Sequence, residues 1–263
     1  MITKNYIAKG EGANRFEKIP VQIYETADEA VKAVAREIVD LVQTKAASSE
    51  KCVLGLATGV SPIKLYQELV RMHREEGVSF RNVVTFNLDE YLPMPKESEQ
   101  SYHYFMHHHL FDHIDIDPKN IHIPDGTLEG DEIDKFCRDY EKAIDAAGGI
   151  DLQILGIGRT GHIGFNEPGS FITSQTRKVF LNDLTIKDAI KEAAKDYDLK
   201  LSDDDITKLT SLLMKLKDAN IDWDSVINQA QDWASKLGDK INDPGFWEKI
   251  GNFFMDLWDK IKS

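Results

Sequence analysis

The stretch CVLGLATGVSP, residues 52–62, joins a short apolar run to a turn that contains Gly59. An apolar run of this length, bounded by a turn, predicts a buried strand. Pro62 suits the first position of a helix, which we expect to cover residues 62–76. A buried strand that leads through a tight turn into a helix is the repeating unit of a parallel sheet.

The same alternation of strands and helices continues through the first 185 residues. Further strands are predicted at VQIYE (21–25), NVVTFNL (82–88), NIHIP (120–124) and DLQILGIG (151–158). Further helices are predicted at residues 28–44, 101–113 and 131–147. Strands separated by helices of this length predict an α/β fold in which helices flank a parallel sheet.

The composition of the chain changes near Thr185. All eight histidines lie between His73 and His162, all four tryptophans follow residue 222, and no arginine follows Arg177. From residue 186 onward the patterns predict only helices, one of which has Ser202 as its N-cap. We therefore expect an α/β domain over residues 1–185 and an all-α C-terminal segment over residues 186–263.

The last apolar stripe of the helical segment leaves two alternatives open. It consists of Phe246, Ile250, Phe253, Leu257 and Ile261. Packing of this stripe within a small helical bundle is the simpler interpretation. The alternative is a helix on a membrane surface, and the mixture of acidic and basic residues on its polar face argues against it.

Composition narrows the classes of function. A net charge of −13 argues against a nucleic-acid partner, because binding a phosphate backbone requires clustered Lys and Arg. No run of about 18 apolar residues exists, so we expect no membrane span, and the N-terminus lacks the apolar core of a signal peptide. Two cysteines are too few for a disulfide framework, and the expected location is the cytoplasm.

Ligands of open parallel sheets bind where the strands end, and the first such end is LATGVSP, residues 56–62. Backbone N–H groups at a helix N-terminus, together with hydroxyl donors, form a cradle for a phosphate. The proposed phosphate-binding residues are Thr58, Gly59, Val60 and Ser61. An ordinary turn capped by Ser61 is the alternative, and the motif alone does not separate the two.

Two adjacent carboxylates, Asp89 and Glu90, follow the strand at residues 82–88. Adjacent residues on an extended strand end point in opposite directions, so one of them can face a cleft. A carboxylate with apolar neighbours can be tuned as a general base. A solvated acidic loop is the alternative.

The third strand end is LQILGIGRTGHIGFNEPGS, residues 152–170, in which Gly156, Gly158 and Gly161 have the spacing of a dinucleotide-binding loop. That loop requires a long helix after its third glycine, and NEPGS would break such a helix, so we do not expect a nucleotide. His162 and Glu167 instead form a pair suited to moving protons, and Asn166 adds an amide. A packed or capping role for His162 is the alternative.

The segment HYFMHHHLFDH, residues 103–113, contains i,i+4 pairs of histidines that could bind zinc. No H-E-x-x-H motif or set of cysteines accompanies them. Three consecutive histidines on a helix point about 100° apart and cannot share one ion. We therefore expect no metal site here.

Together, the segments LGLATGVSPIKLYQELV, VSFRNVVTFNLDEYLPMPKESEQSYHYFM and GIGRTGHIGFNEPGS closely resemble the glucosamine-6-phosphate deaminase (isomerase) family over about residues 21–185. The resemblance implies a Rossmann-like sheet shared with phosphogluconolactonases, and no cofactor. It implies conversion of glucosamine 6-phosphate to fructose 6-phosphate and ammonia, within amino sugar catabolism, by an enzyme classed as a hydrolase. The implied partner is a small sugar phosphate, and self-association into a homo-oligomer stays open.

Matching by position, the resemblance assigns roles to individual residues. Asp89 resembles the base that moves a proton between C1 and C2, and His162, supported by Glu167, resembles the group that opens the sugar ring. Thr160 stands where the family usually has an Asp that orients the histidine, and it completes the implied catalytic set. The other implied substrate contacts are Glu90, Gly161, Asn166 and Arg177.

After about residue 185 the family's further sheet segments are not visible. The tail resembles the end of an uncharacterised exported bacterial family, most clearly at IDWDSV, residues 221–226. The chain is therefore interpreted as a truncated member of the deaminase family joined to a helical segment. The alternatives to an active enzyme are an impaired sugar-phosphate-binding remnant and a helical interaction module fused to a truncated enzyme domain.

Overall fold

The computed structural model describes residues 21–158, 160–180, 184, 186–187, 190–191 and 201–217. Its centre is a sheet of four parallel strands in the order β3-β2-β1-β4. The strands are β1 (Cys52–Leu56), β2 (Val83–Asn87), β3 (Ile121–His122) and β4 (Leu152–Gln153). All ten residues of β1 and β2 are buried. The prediction of an α/β fold with a parallel sheet is confirmed.

The described helices connect and flank these strands. They are α1 (Ala27–Ala47), α2 (Val60–Glu76), α3 (Tyr102–His109), α4 (Asp131–Ala146) and α5 (Asp203–Lys217). The Thr26 hydroxyl caps α1 by accepting a hydrogen bond from the backbone N–H of Glu29 at 3.2 Å. Gly77 ends α2 in the left-handed conformation, with φ of 72°. None of the helices within the described ranges is long and apolar enough to cross a membrane.

The two faces of the sheet are covered by different helices. Because side chains alternate along a strand, Cys52, Leu54 and Leu56 pack with α1, α2 and α3 on one face. Val53 lies in the cluster on the opposite face, with Tyr140 of α4. The sheet is therefore the middle layer of a three-layer α/β arrangement.

The strand order places a reversal of the winding direction beside β1. The chain passes from β1 to β2 to β3 on one side, and then returns to add β4 on the other side of β1. In open parallel sheets, the crevice at the carboxyl ends of the strands at such a reversal is where ligands bind. Here that crevice lies between the loops that follow β1 and β4.

Several predicted boundaries are wrong. Residues 21–25 are not a strand, and with Val21 and Ile23 more than half exposed, they lack the neighbour that strand formation requires. β4 is two residues long, because its continuation through Leu155 and Ile157 leaves the sheet and is exposed. α3 ends at His109 and is followed by a separate 3₁₀ turn at Phe111–His113.

The start of α5 agrees with the predicted N-cap at Ser202. The Ser202 hydroxyl accepts a hydrogen bond from the Asp205 backbone N–H at 3.2 Å, and the Ser202 N–H donates to the Asp205 carboxylate at 3.0 Å. Ile206 and Leu209 of this helix are buried. The helices expected beyond residue 217 lie outside the described residues, and the boundary near residue 185 stays a prediction.

Candidate active site

A cleft of about 850 Å³ lies at the carboxyl ends of the strands, where the winding reverses. The loop after β1 contributes Thr58 and Ser61, the end of β2 contributes Asp89, and the loop after β4 contributes His162. The three strand ends singled out from the sequence therefore meet in one cavity, because carboxyl ends of parallel strands share one edge of the sheet.

The loop between β1 and α2 has the backbone geometry of an anion cradle. α2 begins at Val60 rather than at the predicted Pro62, with Gly59 as its N-cap at φ of 102°. An added Cβ at Gly59 would meet no atom within 4 Å, so the backbone angle rather than space favours glycine here. No side chain caps the helix, so Ser61 is not its cap, and the choice between an ordinary turn and a phosphate cradle stays open. The first turn of α2 holds no acidic residue, which leaves its positive end uncompensated.

Asp89 is a half-buried residue at the wall of the cleft. Burial raises its pKa from 3.8 to about 7. Gly164 packs closely against it, since a Cβ added to Gly164 would lie 3.0 Å from the Asp89 Oδ2 atom. A carboxyl group with a pKa near neutral pH can both accept and return a proton, as a general acid–base catalyst must.

Glu90 turns away from Asp89 and caps the N-terminus of α3. Its carboxylate accepts hydrogen bonds from the backbone N–H groups of Tyr91 at 2.9 Å, Tyr102 at 3.1 Å and His103 at 3.0 Å. Burial raises the pKa of Glu90 to about 7, in spite of these three donors. The sequence-based expectation that the two carboxylates diverge therefore agrees with the structure, whereas a substrate contact by Glu90 stays a prediction.

An aromatic cluster between the cleft and α3 was not identified from the sequence. The ring centroids of Tyr91 and Tyr102 are 5.0 Å apart, and those of Tyr91 and Phe165 are 5.1 Å apart. Tyr91 and Tyr102 line the cleft together with Thr58. The only available signal was position: Tyr91 directly follows the acidic pair, and Tyr102 directly follows the serine that caps α3.

Thr160 lies between two other members of the implied catalytic set, His162 and Glu167. Its hydroxyl donates to the Glu167 Oε2 atom at 3.2 Å and lies 2.7 Å from the His162 Nδ1 atom. His162 is half-buried and lines the cleft. The pair predicted from the sequence is thus joined through the residue that departs from the family's usual pattern.

Gly158 supports the imidazole ring of His162. A Cβ at Gly158 would lie 2.1 Å from the ring, and the Gly158 N–H donates to the His162 carbonyl oxygen at 2.9 Å. Gly161 is exposed, with φ of 83°, and its N–H closes the turn on the Gly158 carbonyl oxygen. The described residues from 161 to 180 form turns rather than a helix, which agrees with the rejection of a dinucleotide loop.

With this geometry in place, similarity to known proteins decides the family. The family model described as glucosamine-6-phosphate isomerases/6-phosphogluconolactonase matches residues 25–203. The chain belongs to this family. The resemblance noted from the three strand ends is therefore confirmed.

Curated relatives in this family are named glucosamine-6-phosphate deaminase. The protein from Porphyromonas gingivalis strain W83 is 53% identical over 151 residues, which are 57% of each chain. The protein from Thermoanaerobacter sp. is 46% identical over 153 residues, which are 58% of this chain and 60% of the relative. The chain therefore spans less than two thirds of the length of these relatives.

A solved structure of a monomeric glucosamine-6-phosphate deaminase has the same fold. It is 41% identical, with a TM-score of 0.60, over 64% of this chain and 68% of that one. The Rossmann-like parallel sheet of this chain is thus the α/β fold of the family.

One expectation from the resemblance, the class of hydrolase, is wrong. The relatives at 46% and 53% identity are named deaminases, and the description of the matching family begins with isomerases. Their names place them in amino sugar metabolism, with isomerisation and loss of an amino group as the chemistry.

The structure does not bring every predicted contact of the family site into the cleft. The Arg177 guanidinium donates to the Asn166 side-chain oxygen at 2.9 Å and to the Ser170 hydroxyl at 3.2 Å. Arg177 and Asn166 line a second cavity of about 350 Å³ on the α4 side of the sheet. Asp89 borders both cavities. Arg177 does not line the cleft that contains Gly59, and its role as a substrate contact stays a prediction.

The histidines of α3 form a surface cluster rather than a metal centre. The rings of His103 and His107 stack at 4.5 Å, and the His107 Nδ1 atom lies 2.8 Å from a carboxylate oxygen of Asp112. Within the described part of the chain, no group of three or more His, Cys, Asp or Glu side chains is arranged to hold a metal ion.

Proposed function

We propose that the chain converts glucosamine 6-phosphate to fructose 6-phosphate and ammonia, an aldose–ketose isomerisation with deamination. The observation that carries this proposal is the half-buried carboxyl group of Asp89, whose pKa is raised to about 7, in a cleft that also holds His162. Removal of a proton from carbon requires a base whose pKa is near the working pH. By this proposal, the α/β domain of residues 1–185 carries the site.

Each strand end has a separate task in the proposed reaction. The N-terminus of α2 binds the phosphate through the backbone N–H groups after Gly59. His162 takes the proton of the C1 hydroxyl and passes it to the ring oxygen, so that the bond between C1 and that oxygen breaks and the sugar opens. Asp89 then moves a proton from C2 to C1, which leaves an imine at C2. Water adds to C2, and the amino group leaves as ammonia, so that C2 becomes the ketone of fructose 6-phosphate.

The family name also includes 6-phosphogluconolactonase, which is a different reaction on a related sugar phosphate. Two observations favour the deaminase. The relatives at 46% and 53% identity carry the deaminase name. A buried carboxyl group tuned toward neutral pH is needed to move a proton between carbons, whereas attack of water on a lactone does not require such a transfer.

A sugar-phosphate-binding protein without turnover is the second candidate. It is supported by the short span of this chain relative to its relatives, 57% and 60% of their length. The position of Arg177 in the second cavity, rather than in the cleft that contains Gly59, also supports it. Binding to the cradle of α2 would then survive while catalysis is lost.

A coupled assay that measures both ammonia and fructose 6-phosphate distinguishes these candidates. We expect equal amounts of both products from glucosamine 6-phosphate, and no release of acid from 6-phosphogluconolactone. Asp89→Asn should abolish turnover but retain substrate binding by calorimetry. Asp145→Asn, on the exposed surface of α4, is the matched control and should leave both unchanged. Binding without any turnover in the unaltered chain would favour the second candidate.

A further inference from the structure

The hydrogen bonds of Thr160 have only one consistent direction. An ionised carboxylate accepts hydrogen bonds and cannot donate one. The single hydroxyl proton of Thr160 is therefore directed to Glu167, at 3.2 Å. The remaining lone pairs of the Thr160 oxygen are left for the His162 Nδ1 atom at 2.7 Å.

We propose that Thr160 is a positioning residue that relays the Glu167 carboxylate to His162 and fixes the imidazole with its proton on Nδ1. Because the hydroxyl accepts from Nδ1, that nitrogen must carry a hydrogen. The neutral ring then has its lone pair on Nε2, and His162 lines the cleft. That Nε2 accepts the proton of a sugar hydroxyl in the cleft rests on the proposed function. The assignment of the tautomer does not rest on it.

The relay differs from direct contact with a carboxylate in its electrostatics. A carboxylate bonded to an imidazole fixes its tautomer and also stabilises its protonated form by charge. A threonine hydroxyl supplies the first effect through its geometry and places no formal charge beside the ring.

The surrounding loop keeps this relay in place. Gly158 lies against the His162 ring, where an added Cβ would come within 2.1 Å. Backbone hydrogen bonds join Gly158 to His162 and to Gly161, both at 2.9 Å. The backbone thus contacts one side of the ring, and the hydrogen bond to Thr160 restricts the rotation of the ring.

The tautomer can be measured without any assay of activity. Long-range ¹⁵N–¹H correlation spectra of the full chain at pH 8 report which ring nitrogen of each histidine carries the proton, and His162→Gln identifies the signals of His162. We expect the Nδ1–H tautomer in the unaltered protein and in Thr160→Ser. In Thr160→Val, which keeps the shape but loses the hydroxyl, a mixture with the Nε2–H tautomer is expected. An Nε2–H tautomer in the unaltered protein, or the same spectrum in Thr160→Val, would overturn the proposal.

Kinetics provide the second readout if the chain turns over substrate. Thr160→Val should lower kcat roughly 10- to 100-fold, the effect of losing one hydrogen bond to a group that becomes charged, with KM changed less than about threefold. Thr160→Ser should recover most of kcat. Thr44→Val, which loses a hydroxyl bonded to the Asp40 carbonyl oxygen on α1, is the matched control and should change neither constant. Thermal unfolding should show that all variants are folded. An unchanged kcat in Thr160→Val would also overturn the relay, whereas an inactive parent with the expected tautomer would contradict only the proposed function.

Discussion

At the scale of single residues, Asp89 shows how a functional group can lower the free energy of unfolding. The residue is half-buried, and the loss of solvent around its carboxyl group raises its pKa from 3.8 to about 7. The unfolded chain ionises this group near its ordinary pKa, whereas the folded chain resists ionisation up to about pH 7. The ionised side chain therefore destabilises the fold at the pH where a base is needed.

The pH dependence of stability tests this cost. Below about pH 4, Asp89 is protonated in both states and contributes no difference. As pH rises from about 4 to 7, the unfolded chain releases a proton that the folded chain keeps, so stability falls. Asp89→Asn cannot ionise, so its unfolding free energy relative to the parent should rise by up to about 4 kcal/mol between pH 4 and pH 8. Urea unfolding at a series of pH values measures this difference.

The exposed residue Asp145 provides the control for this measurement. Asp145→Asn should shift stability by no more than about 0.5 kcal/mol at any pH in the series. Some pH dependence should remain in Asp89→Asn, because burial also raises the pKa of Glu90 to about 7. An effect of Asp89→Asn that is the same at pH 4 and pH 8 would contradict a half-buried, ionisable Asp89.

Among the elements, the start of α3 links one strand end to another. Glu90, from the end of β2, accepts the first backbone N–H groups of α3 at Tyr102 and His103. Tyr102 in turn lines the cleft together with Thr58 in the loop after β1. The helix therefore connects the acidic pair to the candidate phosphate cradle, although it belongs to neither loop.

Truncation of Glu90 should weaken both the helix and the cradle. Glu90→Ala leaves three backbone donors without their acceptor and should destabilise the fold by about 1–3 kcal/mol at pH 6. Glu90→Gln retains one acceptor oxygen and should cost less. Because Tyr102 would lose its fixed position against Thr58, KM for the phosphorylated substrate should rise several-fold in Glu90→Ala. Thermal unfolding and steady-state kinetics measure the two effects.

Glu97 lies in the same connection before α3 and is exposed, so Glu97→Ala is the control. It should change stability by less than about 0.5 kcal/mol. Equal effects of Glu90→Ala and Glu97→Ala would show that Glu90 does not hold the helix.

At the scale of the whole molecule, the site depends on a sheet held from both faces. Helices α1, α2 and α3 cover one face, and α4 covers the other through Phe136 and Tyr140. The Tyr140 hydroxyl also donates to the carbonyl oxygens of Asn87 at 2.9 Å and His122 at 3.1 Å, which ties α4 to the ends of β2 and β3. Packing on both faces fixes the edge at which the three loops meet.

Loss of packing on one face should therefore lower global stability. Leu69 of α2 is 1% exposed and belongs to the main core cluster. Leu69→Ala should destabilise the fold by about 2–5 kcal/mol, through lost burial and the cavity left behind. Ile172 is fully exposed, and Ile172→Ala should have almost no effect on unfolding in urea. A small effect of Leu69→Ala would contradict the described core.

Sequence patterns predicted the presence of helices and strands that have a regular hydrophobic period. They predicted the ends of these elements less reliably. The amphipathic helix expected at residues 28–44 and the buried strand after residue 51 correspond to α1 and β1. The apolar patterns VQIYE and LGIG also suggested strands, but Ile23 and Ile157 are exposed. A strand forms only where a neighbouring strand satisfies its backbone, and a short apolar pattern carries no information about that neighbour.

The sequence by itself determined which chemical groups this chain has at its strand ends, namely a glycine turn before a helix, an acidic pair and a histidine with a nearby glutamate. It determined this because strand and turn signals are local in the chain. Only the tertiary structure decided which of them work together. It turned Asp89 toward the cleft and Glu90 toward α3, put Arg177 in a separate cavity, and inserted Thr160 between Glu167 and His162. The physical reason is that burial, hydrogen-bond direction and pKa depend on neighbours from distant parts of the chain, which are brought together only when the sheet and its helices pack.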